Sequence, residues 1–295
     1  MGLRVTQIEF LQSGDIRLEV CPAVGGSITR FSIEGQDILR PASEEAIKNR
    51  DPGLMAAFPM VPYCNRIAHG LFWFEGRQIQ LKKNFEPELC SIHGLGWERA
   101  WSIEHKNMAS LKLSYDHGGH DWPWKFYSEQ YFRLEPDRLN YELSISNTDS
   151  SAMPAGLGLH PFFSDQRLAR MSCLFQGRWQ CSSEGLPIHF VGRVESDQFD
   201  GSKTMSQYDL DHVYTALNSN LRLKWDNQNY GVSLLKSEGT FGYVVYSPPK
   251  GDFFCIEPIS HLPNVINMEE RAGKMQVLEP GDSMSICQTF IVLKE

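Results

Sequence analysis

The chain has 295 residues, a formal net charge of −8 and 12% aromatic residues. That charge excludes nucleic acid and anionic membrane as principal partners, since both attract Lys/Arg-rich surfaces. Cys21, Cys64, Cys90, Cys173, Cys181, Cys255 and Cys287 are odd in number, widely spaced and without a C-x-x-C. Neither a disulfide framework nor a zinc knuckle is therefore expected, and a reducing, cytoplasmic setting fits.

In chain order, MGLRVTQIEF lacks the apolar stretch of a secretory signal. Gly2 and Thr6 fit the short myristoylation pattern, but no polybasic patch supports it. No segment is long and apolar enough to cross a bilayer. Ile16, Leu18 and Val20 alternate with Asp15, Arg17 and Glu19, the period of a half-buried strand. ITRFSIEGQDIL reads as two strands around Gly35-Gln36, and SEEAIKNR as a short helix capped by Ser43. LKLSYD is a further strand, and EQYFRLEPDRLNYELSISN a hairpin turning at Pro136-Asp137. There Leu139, Tyr141, Leu143 and Ile145 share a face. LRLKW, YGVSLLKS, FGYVVYS, FFCIE and SMSICQTFIVL continue the series. No repeat or linker interrupts it, so the reading is one large antiparallel sandwich over residues 1–295. The Pro/Gly-rich stretches 41–70 and 116–124 read as long surface loops.

Six stretches carry groups that can do chemistry. PYCNRIAHG holds Asn65 and Arg66; the guanidinium could fork onto a carboxylate or sugar hydroxyls, or simply be solvated. SIHGLGW sets His93 in a glycine turn before Trp97, as a site residue or a turn cap. HGGHDWPW brings His117, His120 and Asp121 close, but no recognised ligand spacing results and no metal is expected. Its Trp122 and Trp124 could stack on sugar C–H faces or pack under the loop. GLGLHPFF places His160 among glycines, leucines and phenylalanines before Pro161, as an oriented ring or a buried polar residue. FFCIEPISHLPN ends a strand-like run on Glu257, facing either solvent or a cleft that would raise its pKa. In YDLDHVY, one carboxylate among Asp209 and Asp211 plausibly faces the same cleft.

Taken together, NRI, HG…GW, LHPFF, DHVY and IEPISHLPNVIN, in this order over most of the chain, resemble the aldose 1-epimerase (galactose mutarotase) family. The resemblance implies a β-supersandwich with few short helices and an open cleft. It also implies cofactor-free interconversion of the α and β anomers of a monosaccharide. His160 resembles the family's general acid, Glu257 its general base and His93 the second histidine near the ring oxygen. Arg66 and Asp211, with Asn65 beside them, resemble the residues that bond sugar hydroxyls. The acid and base are expected on opposite sides of the C1–O5 unit. Leu95 after His93-Gly94, and Pro258-Ile259 after Glu257, depart from the galactose enzymes and resemble a related branch. Within the class, a sugar carrying phosphate or sulfonate at C6 would need a further cation, for which Arg77, Arg99 and Lys125 are candidates. A non-catalytic carbohydrate-binding module and a glycoside hydrolase using Glu257 and Asp211 are the rival classes.

Overall fold

A computed structural model of the protein describes residues 7–216, 220–235, 239–249, 251–269 and 272–294. The alternation seen in the sequence becomes strand structure directly. Along Arg138–Asn147 the residues Leu139, Tyr141, Leu143 and Ile145 are buried and their neighbours face outward. This strand pairs in full register with Lys125–Glu135 on one side and Ser283–Lys294 on the other. The helix Glu44–Asn49 is present, with the Ser43 hydroxyl accepting the Ala46 N–H at 3.1 Å.

Among the described residues the strands form two large antiparallel sheets of eleven and nine strands. The centre of the eleven-stranded sheet runs Ser27–Ile33, Ala57–Met60, Gly158–Ser164, Phe253–Ile259, Gly242–Ser247, Leu210–Ala216. Because successive side chains point to opposite faces, Phe163, Phe254 and Val245 enter the main core, while Phe162, Cys255 and Val244 enter a second apolar cluster. The main core is shared with the nine-stranded sheet, as in the Phe31–Phe290 and Phe163–Phe290 ring contacts at 5.6 and 6.4 Å. The eleven-stranded sheet is therefore covered on both faces, and its second face carries the site.

Two expectations change. The stretch 41–70 is not one surface loop, because Ala57–Met60 is a wholly buried central strand. Covered on both faces, AFPM shows no alternation and so carries no strand signature. In 116–124, the strand Ser110–Gly118 persists and Trp122 and Trp124 pack inward at 0% and 3% exposure.

Candidate active site

The strand pair Gly158–Ser164 and Phe253–Ile259 has partners Gly158↔Ile259 and Phe162↔Cys255, an unchanged offset that sets His160 opposite Glu257. The intervening bridges are missing from the ladder, where Pro161 and Pro258 provide no N–H. His160 Nε2 lies 3.3 Å from Glu257 Oε1. Glu257 is mid-strand and 2% exposed rather than at a strand end, since the strand continues through Pro258. The two side chains are also side by side on one wall, not opposed across a gap. Adjacent groups can still serve a hemiacetal, whose O1 and O5 are bonded to the same carbon.

The surroundings of His160 explain GLGLHPFF. Its ring stacks with Phe58 and Phe162, each at 4.6 Å, and meets the His93 ring edge-on at 4.9 Å. The Arg40 guanidinium lies over Phe162 and Phe253 at 4.3 and 4.8 Å. Gly156 and Gly158 are required by close approach. A Cβ on Gly156 would sit 2.0 Å from the His261 ring, and one on Gly158 would sit 2.5 Å from Met60 Cε. His261 is itself fixed, with Nε2 accepting the Cys64 N–H at 3.0 Å and Nδ1 donating to Leu262 O at 2.9 Å.

Beside them in the cavity lining, Asn65 and His93 adopt left-handed backbone at φ 56° and 60°. His93 Nδ1 sits 2.9 Å from Met60 Sδ, a thioether that can only accept, so Nδ1 carries the proton and Nε2 is the acceptor. Arg66 meets Glu88 through two contacts, Nη2–Oε1 at 2.9 Å and Nε–Oε2 at 3.3 Å, and its Nη1 is 3.4 Å from Asn65 Oδ1. His160, Glu257, His93, Asn65, Arg66 and Asp211 all line one cavity of about 340 Å³. That volume is at the small end for ligand pockets.

Trp122 and Trp124 do not line it, which corrects their assignment to a sugar platform. Trp122 is stacked on Phe72 at 5.5 Å and beside Tyr63, deep in the main core. The aromatic walls are Phe58, Phe85, Trp97, Phe162 and Tyr246. Sequence reasoning missed Phe85 and Glu88. Both lie in KKNFEPELC, where no periodicity or motif singles them out. Arg99 is paired with Asp121 elsewhere, and Arg77 and Lys125 are exposed; none of the three lines the cavity. A separate depression of about 280 Å³ contains Arg178 and Asp197, which are paired with each other, and none of the motif residues.

Burial dominates the electrostatics. It raises the Glu257 carboxyl well above the ordinary range, assisted by Asp211 and opposed by Arg66. It pulls His160 down to about 3, with the Arg40 and Arg66 charges acting the same way. His93 is held well below its usual value by burial, then by His160 and Arg66. Asp211 is raised by burial against the pull of Arg66. Burial thus disfavours both charged forms of the His160–Glu257 pair, His160 as imidazolium and Glu257 as carboxylate. Donor atoms of His160, Cys255 and Glu257 lie within 4.8 Å of one another, but burial keeps the Cys255 thiol protonated and so a poor metal ligand.

Residues 11–290 match the model of the Aldose 1-epimerase family. The uncharacterized protein YphB of Escherichia coli (strain K12) is 28% identical over 284 residues, 94% of this chain and 95% of its own. A crystal structure from Escherichia coli K12, provisionally called an aldose 1-epimerase, superposes with a TM-score of 0.88 at 25% identity, covering 98% of this chain and 99% of that one. A galactose mutarotase-like protein from Clostridium acetobutylicum shares the fold, with a TM-score of 0.87 at 18% identity over 98% of both chains.

Proposed function

The chain belongs to the aldose 1-epimerase family, and on that premise we propose that the cavity interconverts the α and β anomers of a hexose by ring opening and closure. The observation that carries this reading is the His160–Glu257 contact at 3.3 Å in an aromatic-walled cavity of monosaccharide size.

Ring opening starts with His160 protonated and Glu257 ionised, a distribution that one proton transfer across the 3.3 Å contact can set. Glu257 removes the proton of the C1 hydroxyl as His160 Nε2 delivers one to O5, and the C1–O5 bond breaks. The product is the open aldehyde, with Glu257 protonated and His160 neutral, the distribution that burial favours. After rotation about C1–C2, O5 attacks the other face of the aldehyde. His160 takes the O5 proton and Glu257 returns its own to O1. The pair has one proton throughout and the cycle consumes nothing. Arg66, Asp211 and Asn65 supply hydroxyl partners, and His93 Nε2 an acceptor near the reacting end. Acid and base steps of this kind each contribute roughly 10²–10⁴-fold, sufficient for a reaction that already proceeds in water.

The deciding experiment is exchange NMR of anomeric protons across a panel of neutral and anionic hexoses. Acceleration of at least one hexose supports the reading; binding without acceleration would make the protein a carbohydrate-binding module.

A further inference from the structure

Arg66 is the cavity's cation, and its charge is already answered. Among the described residues it is the one Lys or Arg lining the cavity, alongside the acids Glu88, Asp211 and Glu257. Both Glu88 oxygens are engaged by the guanidinium in the fork–fork manner, while the hydrogen bonds among the described residues include none from Arg66 to Asp211. The side chains of the pair are 16% and 25% exposed. Arg66 has little freedom to leave. Asn65 Oδ1 holds Nη1 at 3.4 Å, and the Gly185 turn presses on the same nitrogen, so that a Cβ there would come within 2.4 Å. Gly185 also has φ +70°, which suits glycine.

We propose that Glu88 is a specificity-determining residue: by forking Arg66 it cancels the cavity's positive charge and turns away sugars carrying phosphate, sulfonate or carboxylate groups. The inference rests on the mutarotase reading for its substrate class. An anionic substituent entering this cavity would meet Asp211 with no free cation to offset it. Arg40, the other guanidinium nearby, is bonded to Met55 O and lies over the Phe162 ring, outside the lining. Glu88 is a positioning residue in the sense that it acts on the sugar through Arg66.

The test compares D-glucose and D-galactose with their 6-phosphates by anomeric exchange NMR and by calorimetric binding. Wild-type protein should bind each phosphate at least about tenfold more weakly than its neutral parent. E88Q keeps the shape and an acceptor for Arg66 but removes the charge. Its ratio of 6-phosphate to neutral kcat/KM should rise about tenfold, through KM, while E88D retains the wild-type ratio. A purely structural role predicts equal losses on both sugars in E88Q, and that result overturns the proposal. So does wild-type protein that treats phosphate and parent alike, a comparison that needs no variant to fold. If no sugar's exchange is accelerated, the mutarotase reading falls, and the binding ratio in E88Q against wild type still decides the role of Glu88.

Discussion

His160 and Glu257 occupy directly opposed positions on neighbouring antiparallel strands, 3.3 Å apart, and each is followed by a proline. Both groups thus sit on the sheet rather than on loops, with the His160 ring packed against Phe58 and Phe162. Rigid-element placement of this kind holds reacting groups to the tolerance proton transfer needs.

Loss of either partner should remove most of the rate and little of the binding. E257Q and H160Q are each expected to lower kcat by roughly 10²-fold or more, with the Kd for sugar changed by less than about threefold. Polarimetry and quenching of Trp97 fluorescence read the two quantities separately. Normal turnover in both variants would dismiss the pair as the reacting groups.

The pH profile should lack the inflection of a free histidine. His160 is lowered to about 3 and Glu257 is raised by burial, so the one-proton state spans the range between them. Buffer-corrected kcat/KM is expected to be level above the His160 value and to fall on the alkaline side only beyond the ordinary carboxylate range, as Glu257 gives up the shared proton. A profile that halves near pH 6.5, the ordinary histidine value, would place His160 in a wetter setting than the structure does.

Phe85 and Trp122 should separate binding from folding. F85A, at the cavity mouth, is expected to raise KM several-fold with a Tm close to wild type. W122A removes a fully buried side chain and should cost about 3–5 kcal/mol, with KM unchanged in whatever fraction remains folded. Urea denaturation alongside kinetics checks both, and a KM effect at Trp122 would restore it to the site.

His261 should contribute to acid sensitivity. Its folded-state pKa is lowered to about 4 by burial, so the unfolded chain takes up a proton first as pH falls. The stability it confers is complete above about pH 6.5 and is lost as pH drops towards 4. H261Q should therefore melt lower at pH 7.5 but show a shallower Tm-against-pH slope between 6.5 and 4. G156A, which drives a methyl into the same ring, should cost about 1–3 kcal/mol at every pH.

How much was legible in the sequence varied with the kind of signal. Half-buried strands such as Arg138–Asn147 announced themselves by alternation, and the HPFF, NRI and IEP segments pointed to residues that do converge on one cavity. Ala57–Met60 stayed hidden because burial on both faces erases periodicity. Trp122 and Trp124 misled because an aromatic in a Gly-rich segment suits a platform and a core plug equally. Glu88 left no trace, because an acid in an irregular segment means nothing until its partner, 22 positions away, is seen beside it.

The packing of the His160 imidazole against both Phe58 and Phe162, each 4.6 Å away, has a spectroscopic consequence. Ring currents from these two neighbouring benzene rings set the carbon-bound protons of that imidazole apart in chemical shift from those of the solvent-facing histidines. The molecule therefore contains its own reporter beside Glu257 in the cavity, able to test for sugar entry and proton movement without any attached label.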